Sequence, residues 1–340
     1  MLFRSVGSEA NGCHYVPRLF RNAPGAHFTG RVHEQAFSSL EPSRKEWGLA
    51  NQLGAVRLVH HGYTRALTQG RDKIARNLRL LDLALAETPG DVNLLMNRGL
   101  ELMRNEQPEA GLASYREAVE ALAARKPGEI SPELLEVLLT QYSTYLLQAQ
   151  KLEEVCALLQ SPLARASGLS ASLHFNLGMA LARRGKFQEA AGQMRQCLAK
   201  RTQPSLAPAN PEVRRSGPYH CLALCLGRLG QTEAEERAYA DGLKADPKSR
   251  PLRFDFARFL ARANRKQEAL HVLYQLVAER PLDAEAWQLG GQIALSDPAF
   301  AEFAADWTAE AVGRLPGDPV IAAQRAEVLK RAHLAEAVVA

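Results

Sequence analysis

Two cysteines, two histidines and a recurring arginine are the residues whose types and spacing invite chemistry. Cys221 and Cys225 stand four apart among Leu222, Leu224 and Leu226. On a helix both thiols would share one face, as half of a metal site requires. Buried thiols acting as small hydrophobes fit the same spacing. His60 and His61 end an apolar, partly β-branched run over residues 55–60, with no Cys, Asp or Glu beside them at ligand spacing. Arg104, Arg183, Arg228 and Arg262 recur at equivalent places in a repeat, where two further copies carry Gln148 and Ser296. Guanidiniums in register would make a ladder for an acidic or phosphorylated peptide. Equally, each arginine closes a helix, where a cation suits the helix dipole. No GxSxG, dinucleotide-type GxGxxG or phosphate-binding GxxxxGK motif occurs, so hydrolase, dehydrogenase and kinase chemistry have no anchor.

The elements that must position these arginines follow a period of about 34 residues. The clearest copy, residues 171–204, carries Leu177-Gly178, Leu181, Gly185, Ala190, Met194 and Cys197. Small residues at Gly178 and Ala190 let two helices approach closely, Gly185 permits the turn between them, and a proline follows the second helix. The same grid fits copies beginning near residues 92, 216, 250 and 284, and a degenerate copy at 136–159 that lacks the glycines. A helix over 71–87 serves as the second half of an incomplete leading copy, and one from Pro319 onward acts as a polar-faced cap. Residues 126–132 and 202–216 read as loops, because the grid resumes beyond each. This pattern resembles the tetratricopeptide repeat. The resemblance implies an α-solenoid of helical hairpins whose first helices line a concave groove, with Arg104, Arg183, Arg228 and Arg262 facing a protein or peptide partner. The carboxylate-clamp variety of the repeat is excluded, since Met96 and Leu100 occupy its positions.

Bulk composition agrees with a helical array. The chain has 340 residues, 46% of them hydrophobic but only 6% aromatic, a balance that favours close-packed helices over strands. The net charge of +5 is spread along the chain; without a concentrated basic stripe interleaved with aromatics, nucleic acid is not an expected partner. No apolar run approaches the ~18 residues of a membrane span. The five cysteines are odd in number and form no CxxC pair, which implies a reducing compartment. Residues 1–5 lack the apolar core of a signal peptide, so the expected location is the cytoplasm.

The amino-terminal quarter departs from the grid. Residues 11–34 are rich in Gly, Pro and Arg. Extended runs are expected over 15–21, 28–34 and 55–60, with a short helix over 41–51. VPRLFRNAPGAHFTGRVHEQ, residues 16–35, resembles the carboxy-terminal end of the catalytic domain of bacterial family-2 glycosyltransferases. Residues 56–91 resemble the segment that, in one branch of that family, leads directly into tetratricopeptide repeats. The resemblance implies a small, irregular α/β remnant of a glycosyltransferase-A domain over 1–65, a connecting helix over 66–91, and the repeat array over 92–340. It implies sugar transfer from a nucleotide sugar to an acceptor hydroxyl in the complete relative, with Mg²⁺ or Mn²⁺ held by a DxD motif. By the same resemblance His33 would complete the metal's coordination, and Arg18, Arg21 and Arg31 would contact donor phosphates. No DxD stands in the first 90 residues, so the chain is expected to lack the donor-binding half, and no cofactor is evident in what remains. Two readings result: a partial glycosyltransferase fused to repeats, or a non-enzymatic scaffold that binds a peptide or protein in its groove.

Overall fold

The computed structural model describes residues 2–6, 13–17, 24–27, 40, 46–48, 53–59, 73–126, 130–203 and 210–339, with the backbone alone for the strands, 166–167 and 333–339. It is mostly helical and divides into two compact units, Met1–Cys221 and Leu222–Ala340.

In the first unit three strands, β1 (Leu2–Val6), β2 (Cys13–Pro17) and β3 (Leu53–Val59), form one sheet of order β2-β1-β3. The β1–β2 pair is antiparallel and the β1–β3 pair parallel. β2 overlaps the expected run over 15–21 at residues 15–17, the rest of which lies outside the described residues, and β3 overlaps the run over 55–60 at 55–59; β1 was not expected. The run over 28–34 and nearly all of the helix over 41–51 lie outside the described residues. Nothing in this sheet supports a glycosyltransferase-A remnant.

The helices of the first unit follow the grid. They are α1 (Lys73–Glu87), α2 (Val92–Arg104), α3 (Pro108–Ala123), α4 (Pro132–Gln148), α5 (Leu152–Leu159), α6 (Pro162–Ser167), α7 (Ala171–Arg183), α8 (Phe187–Lys200) and α9 (Pro211–Arg214). Helix α10 (Gly217–Arg228) contains the division between the units, and the second unit continues with α11 (Thr232–Ala245), α12 (Arg250–Arg262), α13 (Lys266–Glu279), α14 (Ala284–Leu295), α15 (Ala301–Arg314) and α16 (Pro319–Val339). Local chemistry sets the starts. Asp91, Ser131 and Asp283 each accept a backbone N–H three residues on, and proline opens α3 and α4 where a missing N–H costs nothing.

Two short helices were not anticipated. The second helix of the degenerate copy ends at Leu159, and α6 begins immediately afterward, because Ser161 caps it and Pro162 cannot extend α5. Within the expected loop over 202–216, Asn210 caps α9 through the Glu212 N–H and Val213 is buried.

Five of the six hairpin turns share one conformation, while a 3-10 turn at Pro298–Phe300 joins the helices of the last copy. The fifteenth residue of five copies, Glu106, Gln150, Gly185, Gly230 and Asn264, has φ of 58°, 58°, 76°, 70° and 60°. Glycine meets this left-handed requirement freely and asparagine tolerates it, whereas Glu106 and Gln150 carry the steric cost of a Cβ.

Each hairpin's core closes on a small residue. A Cβ on Gly99 would meet the Tyr115 ring at 2.8 Å, and one on Gly178 would meet the Met194 methyl at 2.6 Å. In the second unit a Cβ on Gly290 would collide with the Trp307 indole, which is fixed by a 2.8 Å bond from its Nε1 to the Trp287 carbonyl and by tilted packing on the Trp287 ring at 4.5 Å. Glu235 breaks this rule. It occupies the small-residue position held by Gly111, Ala190 and Ala269, and its carboxylate fits because Gly227 has no side chain: a Cβ there would lie 2.7 Å from Oε1. The carboxylate is buried and accepts a 2.8 Å hydrogen bond from Arg262 Nη2 of the next hairpin. Burial pushes the Glu235 carboxyl above the ordinary carboxylate range, and Arg262 pulls it part of the way back.

Three stability measurements follow from this packing. Gln150→Gly is expected to raise stability by about 0.5–1 kcal/mol in urea unfolding, by removing the left-handed strain. Gly290→Ala is expected to cost about 2 kcal/mol and Gly178→Ala under about 1 kcal/mol, since a methionine tip yields where a hydrogen-bonded indole does not. Arg262→Ala is expected to cost about 1–3 kcal/mol at pH 7.5 by stranding a buried carboxylate. Because the folded-state Glu235 carboxyl titrates above its unfolded value, its contribution is most favourable at acid pH and is lost as pH rises through the folded value. The Arg262→Ala penalty should therefore shrink between pH 7.5 and pH 5; a penalty independent of pH would show that Glu235 is not its source.

Candidate partner-binding surface

All four recurring arginines are the last residue of the first helix of their hairpin: Arg104 ends α2, Arg183 ends α7, Arg228 ends α10 and Arg262 ends α12. There a cation faces carbonyls that the helix leaves unpaired. They are not equivalent in detail.

In the first unit, Arg104 donates from Nη1 to Glu101 Oε1 at 3.0 Å. Glu101 is buried one turn back, with its side chain only 2% exposed, while that of Arg104 is 37% exposed. This pair lies by an aromatic group: Tyr115 packs on Tyr142 and Tyr145 with ring centroids 5.8 and 5.6 Å away, and its hydroxyl donates to Gln141 Oε1 at 3.1 Å. Burial pushes the Tyr115 hydroxyl far up, so it stays a protonated donor. Arg183 instead reaches back to the preceding hairpin. Its Nη1 donates to the Leu147 carbonyl at 3.2 Å and to Gln150 Oε1 at 3.5 Å, satisfying the frayed end of α4.

In the second unit the Arg262–Glu235 pair repeats the Arg104–Glu101 arrangement, with an exposed guanidinium over a buried carboxylate. One turn earlier on α12, Arg258 Nη1 lies 3.2 Å from Asp255 Oδ1, again with the cation the more exposed partner. All four of these charged groups act on the buried Tyr239 hydroxyl, which burial also pushes up. Leu224 stands exposed on α10, one turn before Arg228. Glu101, Glu235 and Arg258 did not emerge from the sequence. A readable sign of Glu235 was a carboxylate at the grid position that other copies give to Gly or Ala, preceded by Gly227.

The remaining sequence candidates fall into two groups. His33, Arg18, Arg21 and Arg31, with His60 and His61, lie outside the described residues. Cys221 and Cys225 are buried and unbridged, as are Cys156 and Cys197. Burial pushes the Cys197 thiol up to about 12. Among the described residues no three His, Cys, Asp or Glu side chains gather as a metal site would require, and no helix is long and apolar enough to cross a membrane.

No family model matches this sequence, and no curated protein does. Solved structures do. The C-terminal part of a TPR repeat-containing protein from Cytophaga hutchinsonii is 9% identical, with 74% of this chain and 95% of that one covered and a TM-score of 0.53. PilW, a type IV pilus biogenesis factor, is 20% identical over 68% of this chain and 97% of its own, with a TM-score of 0.49. A tetratricopeptide repeat protein from Parabacteroides merdae is 16% identical over 70% and 98%, with a TM-score of 0.46. These likenesses concern the fold alone, which the first of them carries, and they lend the glycosyltransferase resemblance no support. The helical hairpins have a tetratricopeptide-type fold.

Proposed function

We propose that this chain is a scaffold that holds a protein or peptide partner along the first helices of its hairpins, with Arg104, Arg183, Arg228 and Arg262 at the ends of those helices. The observation that carries this reading is the layering of charge. At Arg262 the carboxylate lies beneath and the guanidinium above, so the surface offered to a partner carries N–H donors rather than a neutral ion pair. Stacked helical hairpins are built by nearest-neighbour packing and offer extended binding surfaces. The glycosyltransferase reading has no comparable support, since its residues lie outside the described part of the chain.

The reading is tested by placing a photo-crosslinking side chain at Met179, on the first helix α7, or at Tyr274, which is 56% exposed on the second helix α13. In cells of the source organism, a discrete crosslinked species is expected from the Met179 position and none from Tyr274. Equal labelling from both would remove the first-helix faces as the binding surface.

A further inference from the structure

The Arg262–Glu235 pair is lopsided. The Glu235 side chain is 6% exposed and that of Arg262 is 63% exposed. The bond between them uses one of the five N–H donors of the guanidinium. Arg258 has the same form: its side chain is 55% exposed and makes one 3.2 Å bond to Asp255, whose side chain is 17% exposed. Arg258 and Arg262 are four residues apart, so they share a face of α12 at about 6 Å spacing. Both present unused donor edges outward, while their counter-charges lie underneath. Such an edge accepts an external carboxylate in two parallel hydrogen bonds.

We propose that Arg258 and Arg262 form an anion clamp for an acidic segment of a partner protein, and that Glu235 is an internal carboxylate which that segment displaces from Arg262. This rests on the protein-binding reading and adds to it the chemistry of the partner. A carboxylate is the fitting occupant because the group it replaces is itself a carboxylate of single charge.

Displacement has a consequence for protons. The groups around Glu235 are Arg262 and Arg258 with Asp255 on α12, Tyr239 on its own helix, and the side-chain-free Gly227 beside Arg228 on α10. Arg262 is the cation that holds the buried carboxyl down. When Arg262 turns to the partner, a Glu235 oxygen takes a proton from solvent, and no heavy-atom bond forms or breaks. Binding therefore consumes up to one proton, and by linkage the affinity falls by up to about tenfold per pH unit. Glu235 thus sets a threshold that only a sufficiently acidic partner, or a sufficiently acidic medium, overcomes.

The test is calorimetric titration of the full chain with an octaglutamate peptide at pH 5.5, 6.5 and 7.5, with octaglutamine and a phosphoserine peptide as comparators. The wild-type protein is expected to bind octaglutamate several-fold more weakly with each pH unit, with a heat that varies with the ionisation enthalpy of the buffer. Glu235→Gln should bind at least about fivefold more tightly at pH 7.5 with a flat pH profile, and Arg262→Gln should not bind. A Glu235→Gln variant with wild-type affinity and slope would overturn the exchange, as would absent wild-type binding at every pH or tighter binding of the phosphoserine peptide. If a variant fails to fold, as its circular dichroism melt would show, the buffer dependence of the wild-type heat decides alone. Survival of the Met179 crosslink alongside a failed exchange would leave the protein-binding reading standing, so the two fail separately.

Discussion

Close approach between paired helices is the constraint on which the rest of this structure depends. A tetratricopeptide-type hairpin buries its apolar faces only if one helix surrenders a side chain where the other crosses it. Gly99 does so for Tyr115, Gly178 for Met194 and Gly290 for Trp307. Large residues then fill the space that glycine vacates, and Tyr115, Met194 and Trp307 are all buried there. The arginines inherit their places from this geometry. With the crossing fixed, the first helix ends at a set distance beyond it, and the chain must pass through a left-handed residue to begin the second.

Charge is arranged around that packing rather than against it. Exposed pairs such as Arg116–Glu154, Lys151–Glu109 and Arg184–Glu153 link successive hairpins of the first unit at distances of 3.0–3.1 Å, and each contributes little alone. Arg250 is more committed: it holds Asp283 through two 2.9 Å bonds while Asp283 caps α14. Its guanidinium keeps the Asp283 carboxyl below the usual carboxylate range. Glu101 and Glu235 differ again, because burial removes them from water and leaves an arginine as their counter-charge at the surface. That difference separates ion pairs that brace the fold from ion pairs that leave a cation at the surface over a buried anion.

Most of the helical architecture was legible in the sequence. A fixed period of large and small residues names the core face of each helix, so α1 to α5, α7, α8 and α10 to α16 fall where the grid puts them. The exceptions have local causes that a period cannot report. Ser161-Pro162 and Asn210-Pro211 nucleate helices of four to six residues by capping alone. β1 was missed because Leu2–Val6 shows no alternation of its own and takes its place from pairing with distant segments. The candidate surface was only half legible. The arginines could be read from register, but whether each stands over a buried carboxylate, as Arg104 and Arg262 do, or serves a neighbouring helix end, as Arg183 does, depends on burial one helical turn back for Arg104 and on contacts between hairpins for Arg262 and Arg183.

The contact among Gly227, Glu235 and Arg262 also bears on how such a chain can diverge. Three helices each contribute one residue, and the glutamate is tolerable only in the presence of the other two. Losing the arginine strands a buried anion and adding a side chain at 227 evicts the carboxylate, whereas a small residue at 235 restores the state of copies that hold Arg104 with Gly111 and Arg183 with Ala190. Lineages of this repeat should therefore gain the glutamate after the glycine and the arginine and lose it before them, an order imposed across the 34 residues that lie between the first and the last.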